Sequence, residues 1–278
     1  MLERTAHSNG LVTYQSPLLA GRGVVHAFST RIGGVSLPPF DSLNLGNAQE
    51  GPQDAPGNLE ENFRRLQEAL DVPDHLWAWV RQVHGRMVEL LEPEPENEYA
   101  ESVEAEIRDR FAGQTAADAM VSTVSRVLLT IRVADCVPIL LASADGKIVA
   151  AVHAGWRGVI GNIAAKAVRT LHEVGAAPEK LFAAIGPCIS LEHFAVGPEV
   201  AAEFYGHDLS ECVSKAFCAN PHVDLQRAVR IQLRRAGMAE ERIDGHSVCT
   251  YRDQADFFSH RRDQGKTGRL AALIGARR

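Results

Sequence analysis

Between residues 119 and 154 four apolar runs, AMVSTV, VLLTIRV, CVPILLA and KIVAAVHA, follow one another with few polar residues between them. Their β-branched and aliphatic content marks strands of a sheet covered on both faces. The Asp145-Gly146 pair between the last two reads as a tight hairpin turn. Such a block has to form a buried sheet core, and the rest of the chain must be arranged around it.

Outside the block, GVVHAFSTR (23–31), LWAWVRQVHG (76–85), MVELLE (87–92), KLFAAIG (180–186), IDGHSVCTY (243–251) and RLAALIG (269–275) read as further strands. The first of these leads into a turn-rich loop, IGGVSLPPFDSLNLG (32–46). Helical spacing predicts helices over 58–72, with Asn58 as N-cap, and over 159–175, with Gly175 ending it. Residues 198–206 and 223–237 are read as helices too. Strands come in runs without strict βαβ alternation, and no linker divides the 278 residues. The expected architecture is α+β, a single domain over 1–278 built on mixed sheets with flanking helices.

A net charge of −6 argues against a general binder of nucleic acid or of membrane surfaces. Arg132, Asp135, Asp145 and Lys147 interrupt the apolar runs, so no membrane span is expected. Five cysteines without a CxxC pair, and an N-terminus without a signal-peptide core, predict a cytoplasmic protein. Residues 92–110 hold seven glutamates and are read as an acidic, solvated surface excursion, partly helical towards its end.

The chemistry gathers at strand ends. Cys136 stands at the entrance of CVPILLA, His153 near the end of VAAVHA, and His84 at the end of QVH before a glycine. A lone buried cysteine is ordinarily structural. Three such residues at strand ends also suit a nucleophile with its base, or a metal. Zinc accepts thiolate and imidazole together, and a catalytic site keeps a fourth position open. After His153 the AGWRG turn lets a ligand approach the backbone, and a helix following Gly158 would present N–H groups to phosphate.

In order along the chain, STRIGGVS with SLNLG, QVHG, AADAMVS, ADCVPILL, VHAGWRG, IGPCIS with FAVGPEV, and CTY with FFSHRRDQGKTGR occur. Over residues 23–274 this series resembles the bacterial purine nucleoside phosphorylases of the laccase-domain, or polyphenol oxidase-like, family. The resemblance implies a fold related to the cysteine deamidases and a metal site of His84, Cys136 and His153, holding zinc rather than copper. It further implies phosphorolysis of adenosine, inosine and methylthioadenosine, and deamination of adenosine to inosine. The partners would be purine nucleosides and phosphate, and the protein a monomer or homodimer.

Arg31 and Arg157, then Arg261 and Arg262, are the expected anion holders, since guanidinium offers a bidentate fork to phosphate. Asp135 could orient a ligand histidine or carry a proton. Asn44 could bond ribose or base. Cys188 and Cys249 are read as structural. His260 stands where the family pattern has an aromatic hydroxyl, and so could add a titrating group.

The 11 histidines contain no H-x-H, which argues against a true multicopper laccase. Two rival readings stay open. One is a metal-free thiol hydrolase acting on an amide bond, such as one editing cell-wall precursors, with Cys136 as nucleophile and His153 or His84 as base. The other is a non-catalytic nucleoside- or partner-binding protein.

Overall fold

The computed structural model of the chain describes residues 1–48, 50–92, 99–217 and 220–276. A seven-stranded mixed sheet runs β1 (Glu3–Ala6), β2 (Val12–Gln15), β3 (Val24–Ser29), β15 (Leu270–Ala276), β8 (Val127–Val133), β4 (Leu76–Arg81) and β6 (Ala112–Ala116). A six-stranded mixed sheet runs β14 (Ile243–Asp244), β11 (Phe182–Ile185), β9 (Val137–Ala142), β10 (Val149–Ala154), β7 (Ala119–Ser122) and β5 (Val88–Leu91). A small pair joins β12 (Val213–Ser214) to β13 (His222–Val223). The helices are α1 (Pro17–Ala20), α2 (Pro56–Ala69), α3 (Tyr99–Arg110), α4 (Trp156–Ile160), α5 (Ile163–Glu173), α6 (Pro198–Gly206) and α7 (Leu225–Arg235).

The period-two alternation of strands explains how these parts stack into layers. In β9, Val137, Ile139 and Leu141 pack beneath α5 and α7. The alternate residues Leu140 and Ala142 meet Leu129, Ile131 and Ile274 of the larger sheet. On that sheet's far side Leu128, Ala271 and Leu273 pack against Leu66 and Leu70 of α2 and its C-terminal end, and against Leu43 and Leu45 of the SLNLG loop. The order is thus helix, sheet, sheet, helices, with aliphatic cores in each interval. The expected α+β class with mixed sheets is what the chain forms, and no helix among the described residues is long and apolar enough to cross a membrane.

Several local expectations need correction. The strand read over 76–85 stops at Arg81, and His84 sits in a turn with φ of +55°. The helix read over 159–175 is two helices, α4 and α5, parted at Gly161 and Asn162, where Asn162 takes φ of +58°. Consequently the helix that follows His153 starts at Trp156, capped by Gly155, rather than after Gly158. Asn58 lies inside α2, whose N-cap is Ala55; its side chain donates to Asp54 instead. The IDGHSVCTY run keeps only the two residues of β14 as strand. The hairpin of β1 and β2 and the strand β6 have no counterpart in the sequence reading. Of the acidic excursion, 99–110 is helical as expected, and residues 93–98 lie outside the described ones.

Candidate active site

Three connections cross from the larger sheet to the smaller one at the same end of the molecule, and the link from β6 to β7 carries Asp118. The link from β4 to β5 carries His84, and the link from β8 to β9 carries Cys136. His153, near the end of β10, shares the face of Val149 and Ala151, whose side chains point into the layer between the sheets. The ligand atoms of His84, Cys136 and His153 all lie within 4.8 Å of one another. Among the described residues they form the one group of three such side chains placed to share an ion. The two imidazoles meet edge to face with centroids 4.9 Å apart.

What fixes this corner is Asp118, a fully buried carboxylate that the sequence reading passed over inside AADAMVS. It accepts the backbone N–H of Val83 at 3.3 Å, His84 at 3.0 Å and Gly85 at 2.6 Å. Three N–H groups in succession around one anion hold the left-handed turn at His84. The same carboxylate lies 2.8 Å from Nδ1 of His153. With Nδ1–H donated to Asp118, loss of the second ring proton would leave the lone pair of His153 on Nε2, aimed towards Cys136 and His84 as a shared ion needs. Burial pushes the Asp118 acid up, but the His153 hydrogen bond and charge and the backbone N–H groups bring it below the usual range.

Cys136 and His153 polarise one another. Burial by itself raises a thiol, yet the neighbouring His153 and His84 draw Cys136 down to about 6. Burial by itself lowers an imidazole, yet Cys136 and Asp118 draw His153 up to about 9. The corner therefore favours a thiolate, the form a metal needs. Gly155 completes it by close approach: a Cβ there would lie 3.1 Å from Cδ2 of His84 and 3.2 Å from Sγ of Cys136. Two nitrogens and a sulfur, with a buried carboxylate behind one nitrogen, suit a tetrahedral ion with one open position.

The group opens into a cavity of about 460 Å³, large enough for a small organic ligand. Arg81, Arg132, Arg157, Arg261 and Arg269 line it, with His260 and the aromatic side chains of Trp156 and Phe194. The guanidinium of Arg157 lies over the Trp156 ring at 4.3 Å and that of Arg261 over Phe194 at 5.2 Å. The cavity is thus strongly cationic although the chain as a whole is acidic.

Of the residues expected here, His84, Cys136, His153, Arg157, Arg261, Asp135 and His260 line the cavity. Asp135 is placed differently from its expected role. Its carboxylate accepts from Thr250 Oγ1 and from the backbone N–H of Arg261, both at 2.7 Å, and so ties two loops to the entrance of β9. The carboxylate that meets a histidine of the three-residue group is Asp118. Arg31 lies outside the cavity, paired with Asp41 at 3.0 Å and stacked over Phe258. Arg262 donates to the carbonyls of Thr250, Tyr251 and Phe257. Asn44 is buried and engaged: it donates to Asp54 and accepts from the N–H groups of Gly46 and Arg269. It shapes the SLNLG loop rather than facing a ligand. Cys188 and Cys249 are buried neighbours across a short β-bridge.

Arg81, Arg132 and Arg269 were missed because their runs look like ordinary strand ends. For Asp118 a signal existed: a charged residue between alanines at the mouth of a wholly apolar strand needs a partner.

A family model described as multi-copper polyphenol oxidoreductase laccase matches residues 25–277. The chain is 37% identical to a Deinococcus radiodurans protein named purine nucleoside phosphorylase, over 96% of this chain and 93% of that one. It is 40% identical to purine nucleoside phosphorylase YfiH of Escherichia coli K12, over 91% and 94% respectively. The crystal structure of YlmD from Geobacillus stearothermophilus superimposes with a TM-score of 0.84 at 31% identity, covering 99% of each chain.

Proposed function

The chain belongs to the multi-copper polyphenol oxidoreductase laccase family, and from that membership and its cavity we infer that it is a zinc-dependent purine nucleoside phosphorylase. Its substrates are adenosine, inosine and methylthioadenosine, cleaved by phosphate to the free base and ribose 1-phosphate or its methylthio analogue. It also deaminates adenosine to inosine. The observation that carries this reading is the joining of a three-ligand corner to an arginine-lined cavity of about 460 Å³. Relatives named purine nucleoside phosphorylase support it.

His84, Cys136 and His153 would hold the ion, with Asp118 setting the His153 tautomer. An ion there supplies Lewis acidity and acidifies water for attack on the purine amino carbon. Trp156 and Phe194 offer flat faces for a purine, and the arginines hold phosphate against the ribose. His260, exposed at the cavity wall, is a titratable group able to give a proton to the departing base. A sulfur and two imidazoles suit zinc, and one three-ligand group among the described residues falls short of the clustered histidines that multicopper oxidation requires.

The test is adenosine with metal-loaded protein, with and without phosphate. Adenine appearing only with phosphate, and inosine appearing without it, are expected. If neither product forms, the reading is wrong. Metal analysis should give zinc near one per chain, lost on Cys136→Ala and His153→Ala.

The run Cys136, His153, Asp118 also favours a second reading, since a thiol with a depressed pKa beside a carboxylate-backed imidazole is the arrangement of a thiol hydrolase. Rapid alkylation of Cys136 in the fully metal-loaded protein would support that reading over the first, because a coordinated thiolate is shielded.

A further inference from the structure

We propose that Arg132 is the anchor for a tetrahedral oxyanion in the cavity, and that this oxyanion is the inorganic phosphate of the reaction. The assignment rests on the phosphorolysis reading above.

The arginines around the cavity differ in how far their hydrogen-bonding capacity is already used. Arg261 donates to the Ala195 carbonyl at 2.8 Å, and Arg269 to the carbonyls of Thr267 and Gly268. Arg81 and Arg157 are exposed to solvent, and Arg157 rests on Trp156. Arg132 is the exception: its Nε is sealed from solvent and has no hydrogen-bond partner. A guanidinium taken from water without a counter-charge costs stability. Burial draws this one down to about 10, which leaves it charged at neutral pH. The fold therefore holds an uncompensated cation at the wall of a cavity.

The same fold keeps that cation in place. The Gln82 side chain accepts from the Arg132 N–H and donates to the Arg132 carbonyl, both at 2.8 Å, gripping the backbone at the end of β8. The guanidinium lies over the Trp79 ring at 5.4 Å. Gly46 of the SLNLG loop closes on the other side, where a Cβ would come within 2.6 Å of Arg132 Cδ. A side chain gripped in this way is preorganised, so it binds an oxyanion without first losing rotamer freedom. Its planar fork matches two oxygens of a phosphate.

The test uses Arg132→Met and Arg132→Lys in the metal-loaded full chain. Met fills a similar volume without a charge, so in phosphate-free buffer the variant should melt no lower than wild type. Excess phosphate should raise the melting temperature of wild type and leave Arg132→Met unmoved. In turnover, Arg132→Met should raise KM for phosphate about ten- to a hundredfold. KM for adenosine should stay within about threefold, and Arg132→Lys should fall between. Equal stabilisation of wild type and Arg132→Met by phosphate would overturn the proposal. So would a KM effect falling on adenosine alone. A loss confined to binding of adenosine 5′-monophosphate, with phosphate binding intact, would assign the oxyanion to the nucleoside and overturn the phosphate assignment. If wild type shows no phosphorolysis yet is stabilised by phosphate through Arg132, the oxyanion site stands and the proposed reaction fails.

Discussion

On one side of the cavity the charged groups arrive already matched: His153 with Asp118, Cys136 with His153, and the His84 turn with the same Asp118 carboxylate. On the other side Arg132 sits partly buried with its Nε unpaired. The first wall is built on the crossings into the smaller sheet and needs no ligand to be ordered. The second wall, at the end of β8 in the larger sheet, keeps charge in reserve for what enters. A pre-matched wall fixes where chemistry takes place, and an unmatched one selects what is held there.

The largest effect should come from breaking the matched wall at its base. Asp118→Ala strands three backbone N–H groups and the His153 Nδ1–H in a buried site. Chemical denaturation should then show a loss of about 3–5 kcal/mol. Affinity for the proposed zinc ion should fall about ten- to a hundredfold, read by competition with a chelator.

The pH response of the metal-free protein sharpens the same contrast. The folded Cys136 pKa lies below that of an unfolded thiol, so its contribution is full above the unfolded value and is lost as pH falls through about 6. The folded His153 pKa lies above that of an unfolded imidazole, so its contribution is full below the unfolded value and is lost as pH rises through about 9. The coupled pair then stabilises most between about 6 and about 9. Denaturant midpoints of chelated wild type minus those of Cys136→Ala should trace a bell over that range. A flat difference would mean the wall is not matched as described.

Smaller effects belong to the exposed cations. Arg157→Ala should raise KM for phosphate only about two- to fivefold, since its guanidinium is solvated and rests on Trp156. Arg31→Ala should leave that KM within about twofold, because its ion pair with Asp41 lies outside the cavity. An Arg31 effect as large as that of Arg132 would erase the distinction between the walls.

The α+β class and the aliphatic strands β8, β9 and β10 were legible because their runs are nearly unbroken and bounded by turn residues. That His84, Cys136 and His153 lie together was legible from the motifs QVHG, ADC and HAGWRG, through the family resemblance rather than from local geometry. Asp118 was not, since its meaning depends on partners 33 and 35 residues away that only the folded sheets bring to it. Arg31 and Asn44 misled for the complementary reason. A guanidinium or an amide in a loop looks available until the fold supplies Asp41 or Asp54. The break between α4 and α5 was hidden because the residues on either side of it keep helical spacing, and only the left-handed Asn162 parts them.

The two crossings that carry His84 and Cys136 have a mechanical consequence. With the β6–β7 link that carries Asp118, they sew the sheets together at this end, and an ion bound across them would act as a rivet through both. Its binding energy would then oppose any slippage of one sheet over the other, and prising the sheets apart would release it. Local breathing of the loops around the cavity mouth would leave it seated. Release of a bound ion during unfolding would consequently coincide with separation of the sheets, making the ion a built-in reporter of whether the two layers are still joined.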